Sequence, residues 1–363
     1  MIQTDVLVIG GGPSGLCAAQ LLIESGFKVI LVDRSPVLGG QLVKQTHKFF
    51  GSKEQHAKTR GFDIANLLID PLLNHPDLEI WTGATVLGLY PDLVATINQN
   101  EQYHKIQAQA IVVASGASEK FLAFENNDLP GVYGAGAVQT LMNQYGVRPA
   151  DKIVMVGSGN IGLIVSYQCL QAGIQVQAIV EAAPQIGGYK VHASKLARLG
   201  VPIYTQKTVK KAIGKDKVEA CEIVSLDDQF KEIPGTSEVI ETDGICISVG
   251  LSPSYQLLDM IDAKLGYVPE LGGTIPLIDD NYMTSVNHVF ACGDGVGIEE
   301  ASAAMMEGYL TGLAVARHLN QPHPENEQLM KQYTNALNTL REGPFGYKTN
   351  VGIEKMKELI RRA

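Results

Sequence analysis

Two groups of glycines, each closed by an acid, are the residues here whose types and spacing could do chemistry. The first is Gly10, Gly12 and Gly15 in the run Gly10-Gly11-Gly12-Pro13-Ser14-Gly15, followed by Asp33 eighteen residues after Gly15. The second is Gly157, Gly159 and Gly162 in the run Gly157-Ser158-Gly159-Asn160-Ile161-Gly162, closed by Glu181 nineteen residues on. The first glycine of such a set permits a tight turn, the second lets backbone approach a pyrophosphate, and the third lets a helix pack close to a strand. The helix start then turns N–H groups and the positive end of its dipole toward the anion. The acid accepts hydrogen bonds from ribose hydroxyls. The chemistry implied is dinucleotide binding, at two sites.

The elements that must position these residues are legible around them. Thr4 to Ile9 is a continuous apolar run of strand length, as in a parallel sheet buried on both faces. Leu16 to Ser25 is rich in Ala, Leu and Ile and stops at Gly26, which predicts a helix with a C-terminal glycine. Lys28 to Val32 is a second apolar strand ending on Asp33. The order repeats with strand Ile153–Val156, a helix through Leu170 to Gly173, and strand Gln175–Val180 ending on Glu181. Strand, glycines, helix, strand and acid in this order carry far more weight than the glycines alone.

Composition removes other classes. At 363 residues and 45% hydrophobic, the chain supports more than one domain with a sizeable core. A net charge of −9, from 29 basic and 38 acidic residues, argues against a nucleic-acid surface. Cys17, Cys169, Cys221, Cys246 and Cys292 form no C-x-x-C pair, so a zinc site, a dithiol centre and an iron–sulfur cluster all lose support. Cys17 and Cys169 read as small core residues. His47, His56, His192 and His288 lack metal-ligand spacing, and no metal is expected. The apolar start has no basic leader and no later run reaches membrane-spanning length, so the expectation is a soluble cytoplasmic protein without a membrane span.

Further segments carry a resemblance. Gly39-Gly40-Gln41-Leu42, the strand Ile111-Val112-Val113-Ala114 ending at Ser115-Gly116, and Ala291-Cys292-Gly293-Asp294-Gly295 follow the first module. With them, residues 1 to 320 resemble two-dinucleotide flavoproteins of the thioredoxin reductase-like class. That implies an α/β fold with two Rossmann-like domains, the second inserted in the first. FAD would take the amino-terminal module and a nicotinamide the middle one. The resemblance places Gly10, Gly12, Ser14, Gly15, Asp33, Arg34, Gly39, Gly40, Gln41, Val86, Gly116, Gly293, Asp294 and Ala301 at FAD, with Asp294 on the ribityl chain. The helix start near Glu300 and Ala301 would face the O2 edge of the flavin. Gly157, Gly159, Asn160, Ile161, Gly162 and Glu181 would bind the nicotinamide dinucleotide. Glu181 accepts from a free 2′-hydroxyl and repels a 2′-phosphate, and no basic residue follows before Lys190, so NAD is favoured over NADP.

The thioredoxin reductase dithiol has no counterpart here, because Gly131 to Gln139 contains no cysteine. The stretch Asn127 to Thr140, Gly187-Gly188-Tyr189 and Ile298 to Gly308 is similar instead to FAD- and NAD-binding subunits of heteromeric amine dehydrogenases and oxidases. Those are the sarcosine oxidase alpha, dye-linked proline dehydrogenase alpha, opine oxidase and hydrogen cyanide synthase subunits. A second, amine- or amino-acid-oxidising flavoprotein subunit is the partner this implies, and an oligomer is expected. Only the part common to the long sarcosine oxidase type is expected here. The domain organisation expected is FAD binding at 1–120 and 248–320, NAD(P) binding at 121–247, and a tail at 321–363. Helices are predicted over 325–340 and 353–362, and the tail is compatible with docking a neighbouring chain or its own domain. The loop His47 to Arg60, basic and aromatic, suits a solvated excursion before a helix near Gly61, or a face toward substrate, partner or flavin. Hydride transfer between stacked nicotinamide and flavin needs position more than acid–base help, so no catalytic side chain is expected. The expected function is an FAD-dependent oxidoreductase subunit passing electrons between the partner's flavin and NAD(H) or another acceptor. Two alternatives stand beside it: a stand-alone NAD(P)H reductase for ferredoxin, quinone or dyes, and a nucleotide-binding scaffold without redox work at the second site.

Overall fold

The computed structural model describes residues 1–49 and 56–362, so residues 50–55 of the basic and aromatic loop lie outside the described ones. The chain divides into two compact units. Unit 1 is Met1–Val43, Lys48–Ser118 and Leu251–Ala363, and unit 2 is Lys44–His47 and Glu119–Gly250.

Unit 1 is built on strands β1 (Ile2–Ile9), β2 (Val29–Val32), β3 (Leu78–Trp81), β4 (Ala84–Leu89), β5 (Val94–Gln99) and β6 (Gln102–Val113) in the order β3-β2-β1-β6-β5-β4. The pairings β3-β2-β1-β6 are parallel, while β4 and β5 form an antiparallel arm on the early part of β6. The apolar runs explain why these strands lie inside. Val6 and Val8 join one core with helices α1 (Pro13–Glu24) and α2 (Gly61–Ile69), the latter starting where the sequence predicts, and Leu7 and Ile9 join the core on the opposite face, the period of two that a strand imposes. The sequence passes from β6 through β7 (Ala117–Glu119) into unit 2.

Unit 2 repeats the plan. Its elements are β8 (Val132–Gly134), α3 (Ala135–Tyr145), β9 (Lys152–Val156), α4 (Asn160–Gln171), β10 (Gln175–Glu181), α5 (Lys190–Arg198) and β11 (Ile203–Thr205), then β12 (Lys207–Ile213), β13 (Ala220–Ser225), β14 (Glu238–Glu241) and β15 (Gly244–Ile247). A sheet of order β11-β10-β9-β15-β8 is parallel throughout. Ile153 and Met155 face α3, α4 and α5 on one side. Val154 and Val156 face the antiparallel meander β12-β13-β14 on the other.

The chain returns to unit 1 through β16 (Leu251–Pro253), α6 (Gln256–Asp259), β17 (Leu265–Val268) and β18 (Gly273–Pro276). Strand β19 (Val289–Ala291) then joins the free edge of β6 in parallel, and α7 (Ala301–His318) packs on α1. A side chain at Gly308 or Gly312 would collide with the backbone of Ser14 or Ala18, so these helices touch through their main chains. Helices α8 (Asn326–Leu340) and α9 (Gly343–Arg362) complete the tail. Leu337 of α8 joins Leu310 of α7 in a small core, and Tyr333 stacks on Tyr309 with ring centroids 4.5 Å apart. Met356 and Leu359 of α9 pack with Leu271 and Leu277. The tail therefore covers its own unit. Helix α9 starts ten residues earlier than the sequence predicts, because Pro344 falls in its first turn, where a missing N–H breaks no intrahelical bond.

Candidate dinucleotide sites

In unit 1 the glycine motif lies at the C-terminal end of β1, between β2 on one side and β6 on the other, the place where ligands bind open parallel sheets. Gly10 has φ +108°, and a Cβ there would overlap the carbonyl of Ala114. A Cβ at Gly15 would overlap the carbonyl of Gly10, so this glycine sets the distance between helix and turn. Gly12 differs from both. Its φ is −79°, ordinary for any residue, and the nearest atom to an added Cβ would be 3.9 Å away. Among the described residues nothing demands glycine at position 12. It also begins α1 without a side-chain cap, so the first N–H groups there find no partner in a capping side chain.

The flanks close around this point. The Gly39 N–H donates to the Gly11 carbonyl at 2.8 Å, and Gly40, with φ +53°, comes so near Gly12 that a Cβ would lie 2.8 Å from its Cα. Gly293, at φ +70°, approaches the buried Ser14, and Gly295 approaches Gly116. Asp294 follows Gly293; burial pushes its carboxyl up to about 6, against the N–H of Glu299 that donates to it at 3.3 Å. Ala301 is the first residue of α7, after the N-cap Glu300. Gln41 lies in the short turn of 3-10 helix at Gly40–Lys44, and Arg34 is exposed just beyond Asp33. Val86 sits apart on the antiparallel arm, opposite Ile97.

Unit 2 carries the same construction. Gly157 has φ +107° and its Cβ would overlap the Ser248 carbonyl, while a Cβ at Gly162 would overlap the Gly157 carbonyl. At Gly159 an added Cβ would meet nothing within 4 Å, and this N-cap of α4 has no side-chain cap. The acids correspond too. Asp33 accepts the Gly11 N–H at 2.6 Å on one oxygen and the Ser35 N–H at 2.7 Å on the other. Glu181 accepts the Ser158 N–H at 2.9 Å and hydroxyl at 2.6 Å on one oxygen, and the Ala183 N–H at 2.9 Å on the other. Each carboxylate thus ties the glycine turn to the residues following the next strand and keeps lone pairs for further donors. The second glycine pair also recurs, for the Gly188 N–H donates to the Ser158 carbonyl at 2.8 Å. Asn160 accepts the Tyr189 N–H at 2.8 Å, and Ile161 stands exposed in the first turn of α4.

Further residues not expected as site residues adjoin these turns. In unit 2, Glu119 accepts the N–H of Gly136 at 2.6 Å in the first turn of α3, and Lys44 donates to the Gly136 carbonyl at 3.2 Å. Burial holds the Lys44 amine below its ordinary value, opposed by the Glu119 charge. At the start of α3, then, the Glu119 carboxylate and the Lys44 amine both bond Gly136. In unit 1, Glu307 is buried in α7 and accepts the Gly293 N–H at 2.9 Å; burial raises its carboxyl, and the Arg341 guanidinium beside it opposes that rise. All five cysteines are buried, and burial pushes the thiols of Cys17, Cys169, Cys221 and Cys292 up to about 12. Among the described residues no group of three or more His, Cys, Asp or Glu is placed to hold a metal ion, and no helix is long and apolar enough to cross a membrane.

Known proteins share this architecture. The chain is 27% identical over 334 residues to the alpha chain of the sarcosine oxidase of Rhizobium meliloti, covering 88% of this chain and 31% of that one. It is 24% identical to an opine oxidase subunit of the same organism, covering 88% of this chain and 72% of that one. The chain thus spans about a third of the length of its sarcosine oxidase relative. Among solved structures, the thioredoxin reductase of T. acidophilum superposes with a TM-score of 0.73 at 22% identity, over 88% of this chain and all of that one. The fold is thus the two-domain α/β fold of thioredoxin reductases, with C-terminal helices added. Residues 4–308 match the sequence pattern of one family, and the chain belongs to it: the pyridine nucleotide-disulphide oxidoreductases.

Proposed function

We propose that unit 1 holds FAD and unit 2 holds NAD, and that the chain passes electrons between NAD(H) and a partner flavoprotein subunit that oxidises an amine or amino acid. The observation that carries this is the twofold recurrence of an uncapped helix start, behind a glycine that no internal contact requires, with a carboxylate anchored beside it. Space for a main-chain approach and N–H groups lacking a capping side chain are what a diphosphate needs. The residues fit both groups. Bound together, FAD and NAD supply reversible hydride exchange.

In unit 1, Gly12 and the start of α1 would hold the diphosphate, Asp33 the ribose, and Gly39 to Gln41 the flavin flank. Asp294, whose raised carboxyl suits hydrogen bonding to a hydroxyl, would hold the ribityl chain, and the start of α7 at Ala301 would face the electron-rich edge. In unit 2, Gly159, Asn160 and Ile161 would hold the diphosphate and Glu181 the adenosine ribose. The Glu181 carboxylate supports NAD over NADP by repelling a 2′-phosphate. No side chain is assigned proton transfer. The FAD domain would comprise 1–120 and 248–320, and the NAD domain 121–247. A partner is supported by the names of the relatives, which are subunits of oxidases, and the assembly would work in the cytoplasm.

The test is anaerobic addition of NADH to the yellow protein with co-purifying chains retained. Bleaching of the flavin band together with a second, amine-oxidising flavoprotein is the expected result. A coloured protein indifferent to NADH removes the redox role of the second site.

A further inference from the structure

Arg341 belongs to the tail, yet its guanidinium ends at the start of α7. It is the C-cap of α8, and its side chain is only 13% exposed. Its Nε lies 3.2 and 3.1 Å from the two oxygens of Glu299, and its Nη2 bonds Glu299 as well as Glu307, the latter at 2.6 Å. The other Glu307 oxygen accepts the Gly293 N–H at 2.9 Å. The Glu299 N–H in turn donates to Asp294. One cation therefore gathers both ends of the segment Gly293–Ala301, through Glu307 at its beginning and through Glu299 just before α7.

That segment needs an outside constraint. Gly293, Gly295 and Gly297 place three glycines in five residues, and glycine loses the most conformational freedom when fixed. Anchoring α8 does not require the arginine, since Leu337 and the Tyr309–Tyr333 stack already hold that helix. Nor is a buried ion triad a strong source of stability in itself. What the guanidinium supplies is a planar fork that fixes two carboxylates at once, and one positive charge between them.

We propose that the C-terminal tail is a working part of the flavin site, with Arg341 the positioning residue that holds Gly293–Ala301 in the geometry that binds FAD. This rests on the assignment of FAD to unit 1. The same cation offsets Glu299 and Glu307 near the place where reduced flavin gathers negative charge, so its loss weakens the reduced form more than the oxidised one.

The test is titration of the full-length apoprotein with oxidised and with reduced FAD, for wild type, Arg341→Gln, Arg341→Lys and Glu299→Gln. Arg341→Gln is expected to weaken oxidised FAD about tenfold and reduced FAD more, lowering the flavin midpoint potential. Arg341→Lys restores the potential, which follows charge, but only part of the affinity, which follows the fork. Should Arg341→Gln not fold, Glu299→Gln, which keeps the Glu307–Arg341 pair, still weakens FAD severalfold. Folded variants with wild-type affinity and potential overturn the role of the tail alone. A wild type that binds no FAD overturns the flavin assignment and this inference with it.

Discussion

At the scale of residues, the glycines of the two motifs separate into those the protein needs for itself and those it leaves open. Gly15 and Gly162 are required by packing, because a methyl group at either would sit on a carbonyl of its own turn. Gly162→Ala is therefore expected to destabilise the apoprotein by about 2–4 kcal/mol, read as a lowered thermal midpoint without any ligand. Gly159→Ala meets no atom and is expected to change stability by no more than about 1 kcal/mol, while NADH binding, followed by calorimetry, falls at least about tenfold. Equal stability losses in the two variants would contradict the distinction. Asp294 offers a pH test. Its carboxyl is raised in the folded protein to about 6 from 3.8, so the folded state holds the proton more tightly than the unfolded chain. Stability from this group is fully present below pH 3.8 and is lost as pH rises through about 6. Asp294→Asn removes that loss, stabilising the apoprotein at pH 7 by up to roughly 2–3 kcal/mol while FAD binds more weakly. A variant whose melting temperature keeps the wild-type slope between pH 4 and 7 would count against it.

At the scale of elements, α1 is held between the sheet and α7, and the α1–α7 contact is made through glycine. Gly308→Ala drives a methyl group into the Ser14 backbone, at the base of the first glycine turn. The expected cost is about 3 kcal/mol or more, with FAD lost in parallel because Ser14 and Gly293 adjoin the same point. Retention of FAD at full occupancy in that variant would show that the helix pair does not shape the site. These elements were legible beforehand to different degrees. The strand–glycine–helix–strand–acid order places β1, α1, β2, β9, α4 and β10 within a few residues, because parallel strands buried on both faces need unbroken apolar runs. The early start of α9 was not legible, since a proline reads equally as a breaker or as a first-turn residue until the packing partner is known. The correspondence of Gly39-Gly40 with Gly187-Gly188, each pair folded back on its own motif, was likewise visible only in three dimensions, because the joining hydrogen bonds run between backbone atoms of any residue type.

At the scale of the whole molecule, the chain carries two glycine turns of one plan and five buried cysteines. With the thiols of Cys17, Cys169, Cys221 and Cys292 pushed up to about 12 by burial, they stay protonated and shielded near neutrality. Iodoacetamide at pH 8 is expected to label none of the five in the native protein and all five after denaturation, as counted by mass spectrometry. Rapid native labelling that also abolished NADH-driven flavin bleaching would restore a sulfur relay to consideration. The tail gives a second whole-molecule expectation. Ending the chain at Asn320 uncovers Leu310 of α7 and Leu271, so the thermal midpoint is expected to fall by several degrees.

The sequence by itself determined the duplicated strand–glycine–helix–strand–acid plan and the α/β class. Local backbone rules demand glycines, apolar strands and terminal acids at fixed spacing, and such rules are written in neighbouring residues. Only the tertiary structure decided which glycines packing requires and which it leaves open, and that Asp33 and Glu181 brace their own turns. It also decided that Glu119 with Lys44 occupies the start of α3, and that Arg341 reaches back to Glu299 and Glu307. Those partnerships join residues 17 or more positions apart through part-buried charges, and no periodicity records where a distant side chain will find its partner.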